Sequence, residues 1–141
     1  MIRKGLYILI VDMPETRLKI GALGIVEIKE GSYCYAGSAM NGLDQRISRH
    51  LSKKKKVRWH IDHLTIESNG IEAYETICEG IEECDLCAII QKNGGSGTIK
   101  GFGCSDCKCP THLFYLPEGA KEKLLSCQLF IPYCQRSADR R

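Results

Sequence analysis

Short apolar runs, broken by glycines and clusters of charge, mark out the elements of this chain. Gly5 to Asp12 is a continuous apolar stretch rich in Ile, Leu and Val, which predicts a buried strand. Asp12-Met13-Pro14-Glu15 predicts a turn. Leu18 to Glu30 predicts a second strand region, interrupted at Gly21 and Gly24 by a bulge or a tight hairpin. Gly31 to Ala39 predicts a third strand, with Tyr33 and Tyr35 on one face because side chains alternate along a strand. Asn41-Gly42 ends it, and Asp44 is a candidate helix N-cap.

From Asp44 to Lys54 the period becomes helical. Leu43, Ile47 and Leu51 form an apolar stripe. Arg46 and His50, four apart, share a face beside that stripe, at the rim of the core. Arg49 and Lys53 fall further round, towards solvent. Beyond the basic connection, Trp59 to Glu67 predicts a short helix, and Ile71 to Ile77 fits either strand or helix. Gly80 to Lys92 predicts a helix whose acidic first turn suits the helix dipole. Gly94 to Gly103 is a glycine-rich connection, and Gly103 to His112 reads as a structured loop. Leu113 to Leu116 predicts a strand and Glu118 to Ser126 a helix. The order describes one mixed α+β domain over residues 1–134 around a small sheet, with a polar C-terminal tail over 135–141. No repeat, low-complexity tract or linker divides it.

Composition narrows the class. A chain of 141 residues is one domain's length, and 43% hydrophobic with 26% charged residues is ordinary for a globular protein. Disordered, collagen-like and coiled-coil classes are excluded. No apolar run approaches the ~20 residues of a membrane span. The net charge of +3 is unevenly spread: seven basic and no acidic residues lie between Arg46 and Arg58, leaving the remainder at −4. Such a run is usually a solvated surface. Beside a phosphate site, Arg49, Lys53, Lys54, Lys55, Lys56 and Arg58 would add counterion-release affinity for nucleic acid.

The nine cysteines are an odd number, so they cannot all pair within one chain. Met1-Ile2-Arg3-Lys4-Gly5 followed by Leu6 to Val11 superficially resembles a signal peptide, but the run is short, ends at Asp12 and lacks a small-residue cleavage site. A buried first strand and a reducing, cytoplasmic location are expected. Cys84-x2-Cys87, sixteen residues, then Cys104-x2-Cys107 matches a zinc-ribbon spacing, with Cys109 and His112 as two further ligand types. Structural Zn²⁺, buried thiols and a redox or iron–sulfur role remain open.

Two short strand motifs, Gly5-Leu6-Tyr7 and Tyr35-Ala36-Gly37, precede Arg46 on a helix, His50 one turn later and a glutamate-bearing helix at Glu83. This order resembles the GIY-YIG nuclease superfamily. Gly37-Ser38-Ala39, Arg46-Ile47-Ser48-Arg49-His50, Trp59-His60-Ile61-Asp62, Glu83-Cys84 and Gly101-Phe102-Gly103-Cys104-Ser105-Asp106-Cys107 look like the branch catalogued as domain of unknown function 123. The resemblance covers roughly residues 5 to 116. It implies a three-stranded antiparallel sheet flanked by helices. It also implies a phosphodiesterase site of Tyr7, Tyr35, Arg46 and Glu83, with Glu83 holding one Mg²⁺ (or Mn²⁺) and His50 matching a histidine that some members carry. The 28 positions between the two tyrosines require an extra hairpin near residues 13 to 30.

The chemistry suits those residue types. One carboxylate with several waters is a normal Mg²⁺ site. Arg46 offers a fork of donors for a phosphate. Tyr7 or His50 is expected to accept the proton of the attacking water, with Tyr35 positioning the phosphate or water. Glu82 beside Glu83 is an alternative carboxylate. His60, Asp62 and His63 fit a second metal, a phosphate or a structural network, and receive no assignment. The expected function is metal-dependent hydrolysis of DNA, with RNA as the second candidate, by a monomer or homodimer. The alternative is a zinc-stabilised nucleic-acid-binding protein of the same fold without catalysis.

Overall fold

The first apolar run builds the centre of the molecule. Gly5–Met13 forms strand β1, buried along most of its length. Gly31–Ala39 forms the antiparallel neighbour β4, in a register that sets Tyr7 opposite Gly37 and Leu9 opposite Tyr35. On the other side lies β5 (Gly70–Thr76), also antiparallel, which resolves the ambiguity of that segment as strand. Two short strands, β6 (Leu113–Leu116) and β7 (Phe130–Pro132), extend the edges. The result is a five-stranded antiparallel sheet in the order β6-β4-β1-β5-β7. Of the strands expected from the sequence, the first and third are the central β1 and β4, whereas the second strand region, Leu18 to Glu30, lies outside this sheet. Between β1 and β4, strands β2 (Thr16–Lys19) and β3 (Ile25–Ile28) form a separate hairpin, the insertion that the tyrosine spacing required. The structure, a computed structural model, describes residues 4–77, 80–103 and 109–133. The expected tail over 135–141 lies outside them.

Both faces of the sheet are covered, which explains why β1 reads as a continuous apolar run rather than an alternation. Tyr7, Leu9, Val11 and Met13 face one core with Leu43, Ile47, Ile61 and Leu64. These last come from helices α1 (Leu43–Leu51) and α2 (His60–Glu67). Leu6, Ile8 and Ile10 face the other core with Leu86, Ile90 and Leu124. Those belong to α3 (Glu83–Lys92) and α4 (Ala120–Leu125). The α+β class expected from the sequence is observed. Among the described residues no helix is long and apolar enough to cross a membrane.

Three local differences have physical causes. Leu51 is exposed, because α1 ends there, and His50 takes the buried position instead. Helix α3 begins at Glu83 rather than near Gly80; Glu82 is its N-cap, and the Glu82 N–H donates to Asp85 Oδ2 at 2.8 Å. Strand β7, three residues ending in proline, carries too short a pattern to be read from sequence.

The junction of α1 and α2 is tied by Asp62, which is fully buried. Arg49 donates to both of its oxygens at 2.8 Å, and the backbone N–H groups of Arg58 and Trp59 donate to Oδ2 at 2.8 and 2.9 Å. Burial pushes the Asp62 pKa up, but the Arg49 guanidinium and the two N–H donors outweigh it and hold it below the usual value. Arg49 therefore does not lie out in solvent as its helical position predicted, because a buried carboxylate requires a paired cation. Asp62→Asn, measured by urea unfolding at pH 7, should lower stability by about 3 kcal/mol, the scale for breaking a buried ion pair on one side.

Candidate active site and metal cluster

The site grows from the register of β1 and β4. Tyr7 stands directly opposite Gly37, and a Cβ at position 37 would overlap the Tyr7 phenol. The bare glycine lets the ring lie across β4 and reach α1. There the Tyr7 hydroxyl meets His50 Nε2 at 2.7 Å. Tyr35 approaches the same imidazole, with ring centroids 6.2 Å apart in an edge-to-face arrangement. Phe102 packs edge-on against Tyr35 from the glycine-rich connection.

Arg46 projects from the first half of α1. Its Nη1 donates to the Ser38 carbonyl at 3.0 Å, and its guanidinium lies 4.6 Å from the centroid of the Trp59 ring. Arg49 stacks on the same ring at 4.4 Å. Cation–π contact and the carbonyl bond together fix the position of Arg46. On the other side of β4, α3 starts with Glu83. The Ser38 hydroxyl donates to Glu83 Oε1 at 3.4 Å, and His112 Nδ1 lies 3.0 Å from Glu83 Oε2. Glu82 remains at the cap, exposed, so the geometry distinguishes the two glutamates that the sequence left equivalent.

Burial and neighbouring charges perturb Tyr7, Tyr35 and His50. Burial pushes the Tyr7 pKa up to about 12; Arg46 opposes the rise and the Glu83 charge adds to it. Burial raises Tyr35 further still, again with a contribution from Glu83. For His50, burial is the main cause and Lys55 the next, and together they lower the pKa to about 3. His50 is therefore a neutral imidazole through the physiological range. Its Nε2 is engaged by the Tyr7 hydroxyl and fixes the direction in which the phenol points.

The sequence-predicted residues divide clearly. Tyr7, Tyr35, Arg46, His50 and Glu83 come together. Among the basic residues, Arg49 is held by Asp62, and Lys55 is turned inward, its Nζ donating to the carbonyls of Arg49 and His50 at 3.0 and 2.9 Å. The Lys53 ammonium donates to the Ser68 carbonyl. Lys54, Lys56 and Arg58 are exposed. Cys87, Cys109 and His112 cluster, with their ligand atoms within 4.8 Å of one another. Cys84 sits sulfur to sulfur against Cys109, with Cα atoms 6.3 Å apart. Cys104 and Cys107 lie outside the described residues. Ser38, Trp59 and the contact of His112 with Glu83 were not assigned from sequence. The first two lie inside quoted motif strings, but their roles depend on neighbours distant in the chain. His60 accepts the Gly103 N–H at Nδ1 (2.9 Å), and Asp62 ties helices, so both have structural partners.

The family described as Domain of unknown function DUF123 matches residues 6–131. The chain belongs to this family. No curated protein and no solved structure gives a significant match. All five clustered residues fall inside the stretch matched by DUF123, as does the Cys/His group beside them.

A neutral, buried His50 has a consequence for this DUF123 chain. Its folded pKa lies below the unfolded value of about 6.5, so the unfolded chain binds the extra proton first. Stability from this group is present above about pH 6.5 and is lost as pH falls towards 3. Between pH 7 and pH 5, wild type should lose about 2 kcal/mol more than His50→Gln, which cannot protonate. Paired urea titrations at the two pH values measure the difference.

Proposed function

We propose that this chain is a metal-dependent phosphodiesterase acting on nucleic acid, in the manner implied by its resemblance to GIY-YIG nucleases. The observation that carries the reading is the convergence of Tyr7, Tyr35, Arg46, His50 and Glu83 from four separate elements around the Tyr7–His50 hydrogen bond. A structural role for any one of them is ordinary. Their assembly into one charged and phenolic cluster supports a phosphoryl site.

Glu83 fits the Mg²⁺ (or Mn²⁺) ligand. It is partly exposed, its carboxylate is oriented by Ser38 and His112, and one carboxylate with waters is a usual Mg²⁺ arrangement. Bound there, the ion would supply Lewis-acid stabilisation to the phosphate and leaving oxygen. The chain's own groups supply the rest. Arg46, fixed by Ser38 and Trp59, presents its remaining donors to a phosphoryl oxygen. As its phenolate, Tyr7 takes the proton of the attacking water, with the neutral His50 donating its Nε2–H to the phenolate oxygen. The positive guanidinium of Arg46 opposes the burial that otherwise disfavours a phenolate. Tyr35 orients the water or phosphate. DNA is the first substrate candidate and RNA the second.

Branched, flapped and single-stranded DNA incubated with Mg²⁺ should be cleaved. Tyr7→Phe should slow cleavage by about 10²–10⁴-fold, the range for losing a general base. Arg46→Ala should cost about 10²–10³-fold, the range for losing a transition-state donor. Glu83→Ala should abolish Mg²⁺-dependent cleavage while leaving binding intact. Binding without cleavage on every substrate would favour the alternative of a catalytically inactive, zinc-stabilised binding protein.

The exposed basic residues make a separate prediction. Lys54→Ala/Lys56→Ala should weaken nucleic-acid binding and reduce the slope of log K against log salt by about 2, as expected for two lost phosphate contacts. Lys55→Ala should chiefly lower stability, because that ammonium caps α1 carbonyls inside the fold. Fluorescence anisotropy across a salt series reads the first and thermal melting the second.

A further inference from the structure

A second cluster lies beside Glu83, where the first turns of α3 pack on the sheet through Cys87. Cys84 and Cys87 are three apart near the start of α3, so they share a face. Cys109 and His112 repeat the same two-residue gap on the approach to β6. The fold brings the pairs together: Cys87, Cys109 and His112 present ligand atoms within 4.8 Å, and Cys84 and Cys109 are joined as a disulfide, which reduction opens to two thiolates at the same place. The three cysteines line one cavity of about 260 Å³ with Lys100, Thr111 and Phe114. Cys87 and His112 are buried, Cys109 is partly buried and Cys84 is exposed, so the cluster sits at the edge of the core with one side open to solvent.

We propose that Cys84, Cys87, Cys109 and His112 form a tetrahedral Zn²⁺ site. Three sulfurs and an imidazole are a complete structural ligand set for this borderline-soft ion. The start of a helix favours the thiolates that the ion requires. The contact between His112 and Glu83 supplies the carboxylate that commonly supports a metal-bound histidine. Four ligands fill the coordination shell, so Cys104 and Cys107 are not needed despite their ribbon-like spacing in the sequence. The site clamps α3 to the segment that leads into β6. It thereby holds Glu83, the residue before Cys84, at a fixed place beside β4. The hard, oxygen-ligated ion at Glu83 and the soft ion beside it would be distinct in chemistry and in position.

Elemental analysis of the full chain, purified under reducing conditions with zinc supplied, tests this. About one zinc per chain is expected. Cys87→Ser and His112→Ala should each weaken zinc retention at least tenfold against a competing chelator. Cys104→Ser/Cys107→Ser should retain the full complement. In case the ligand variants fail to fold, two measurements on wild type are added. Cobalt substitution should give the visible bands of a tetrahedral thiolate site. Zinc should also protect Cys84, Cys87 and Cys109, and not Cys104 or Cys107, from alkylation read by mass spectrometry. Metal-free reduced protein, or protein in which Cys84 and Cys109 form a disulfide under the same conditions, would overturn the proposal. So would loss of zinc in Cys104→Ser/Cys107→Ser with retention in Cys87→Ser.

Discussion

The absence of a side chain at Gly37 is the constraint on which the candidate site depends. Antiparallel pairing puts Tyr7 and Gly37 side by side on neighbouring strands. Any β-carbon at 37 would occupy the space of the Tyr7 ring. With that space open, the phenol crosses β4 and bonds His50 on a helix 43 residues away in sequence. Glu83, from the other face, adds to the rise in pKa that burial gives both tyrosines. A glycine that looks like a turn former in the sequence is here a gap between two layers.

The surroundings of that gap are built to hold charge in little water. His50 is buried and neutral, which lets a polar ring sit in the core at the cost of one hydrogen bond to Tyr7. Asp62 is buried and ionised, which works only because Arg49 and two backbone N–H groups reach it. Trp59 lies between these two arrangements and carries both Arg46 and Arg49 on its ring. The network that secures α1 to α2 thus also sets the height of Arg46 above β4. Much of the basic run that suggested a nucleic-acid surface is committed to this framework. Lys53, Lys54, Lys56 and Arg58 are exposed, Lys53 with its ammonium on the Ser68 carbonyl.

How much of this could be read from the chain follows from the range of each interaction. Strands β1 and β4, α1, α2 and the inserted hairpin were legible because their signals are local: apolar runs, a 3.6 period, glycine breaks; the segment of β5 read equally as strand or helix. Strand β7 was not, since three residues carry no period and its pairing with β5 is decided by tertiary contact. The site residues were legible as motif strings, but the burial of His50 was not. A helical wheel places that residue at the rim. Nothing local says that a tyrosine 43 positions earlier will cover it. Arg49 was misplaced for the same reason, because its partner Asp62 lies on the next helix. The choice of Glu83 over Glu82 required knowing where α3 starts, which the Asp85 cap decides and periodicity does not.

The cysteines show the converse. Spacing in sequence favoured Cys84-x2-Cys87 with Cys104-x2-Cys107, the pattern of a ribbon. Proximity in space favours Cys84 and Cys87 with Cys109 and His112. A ligand set is defined by which donor atoms can surround one point, and a two-residue gap specifies that for each pair but not between pairs. What joins the pairs is the path of β6 alongside β4, which delivers the residues preceding β6 to the first turn of α3. The same path brings His112 against Glu83. The link between the cysteine cluster and Glu83 is therefore a consequence of sheet order. Any change that shifts β6 along β4 would disturb both together.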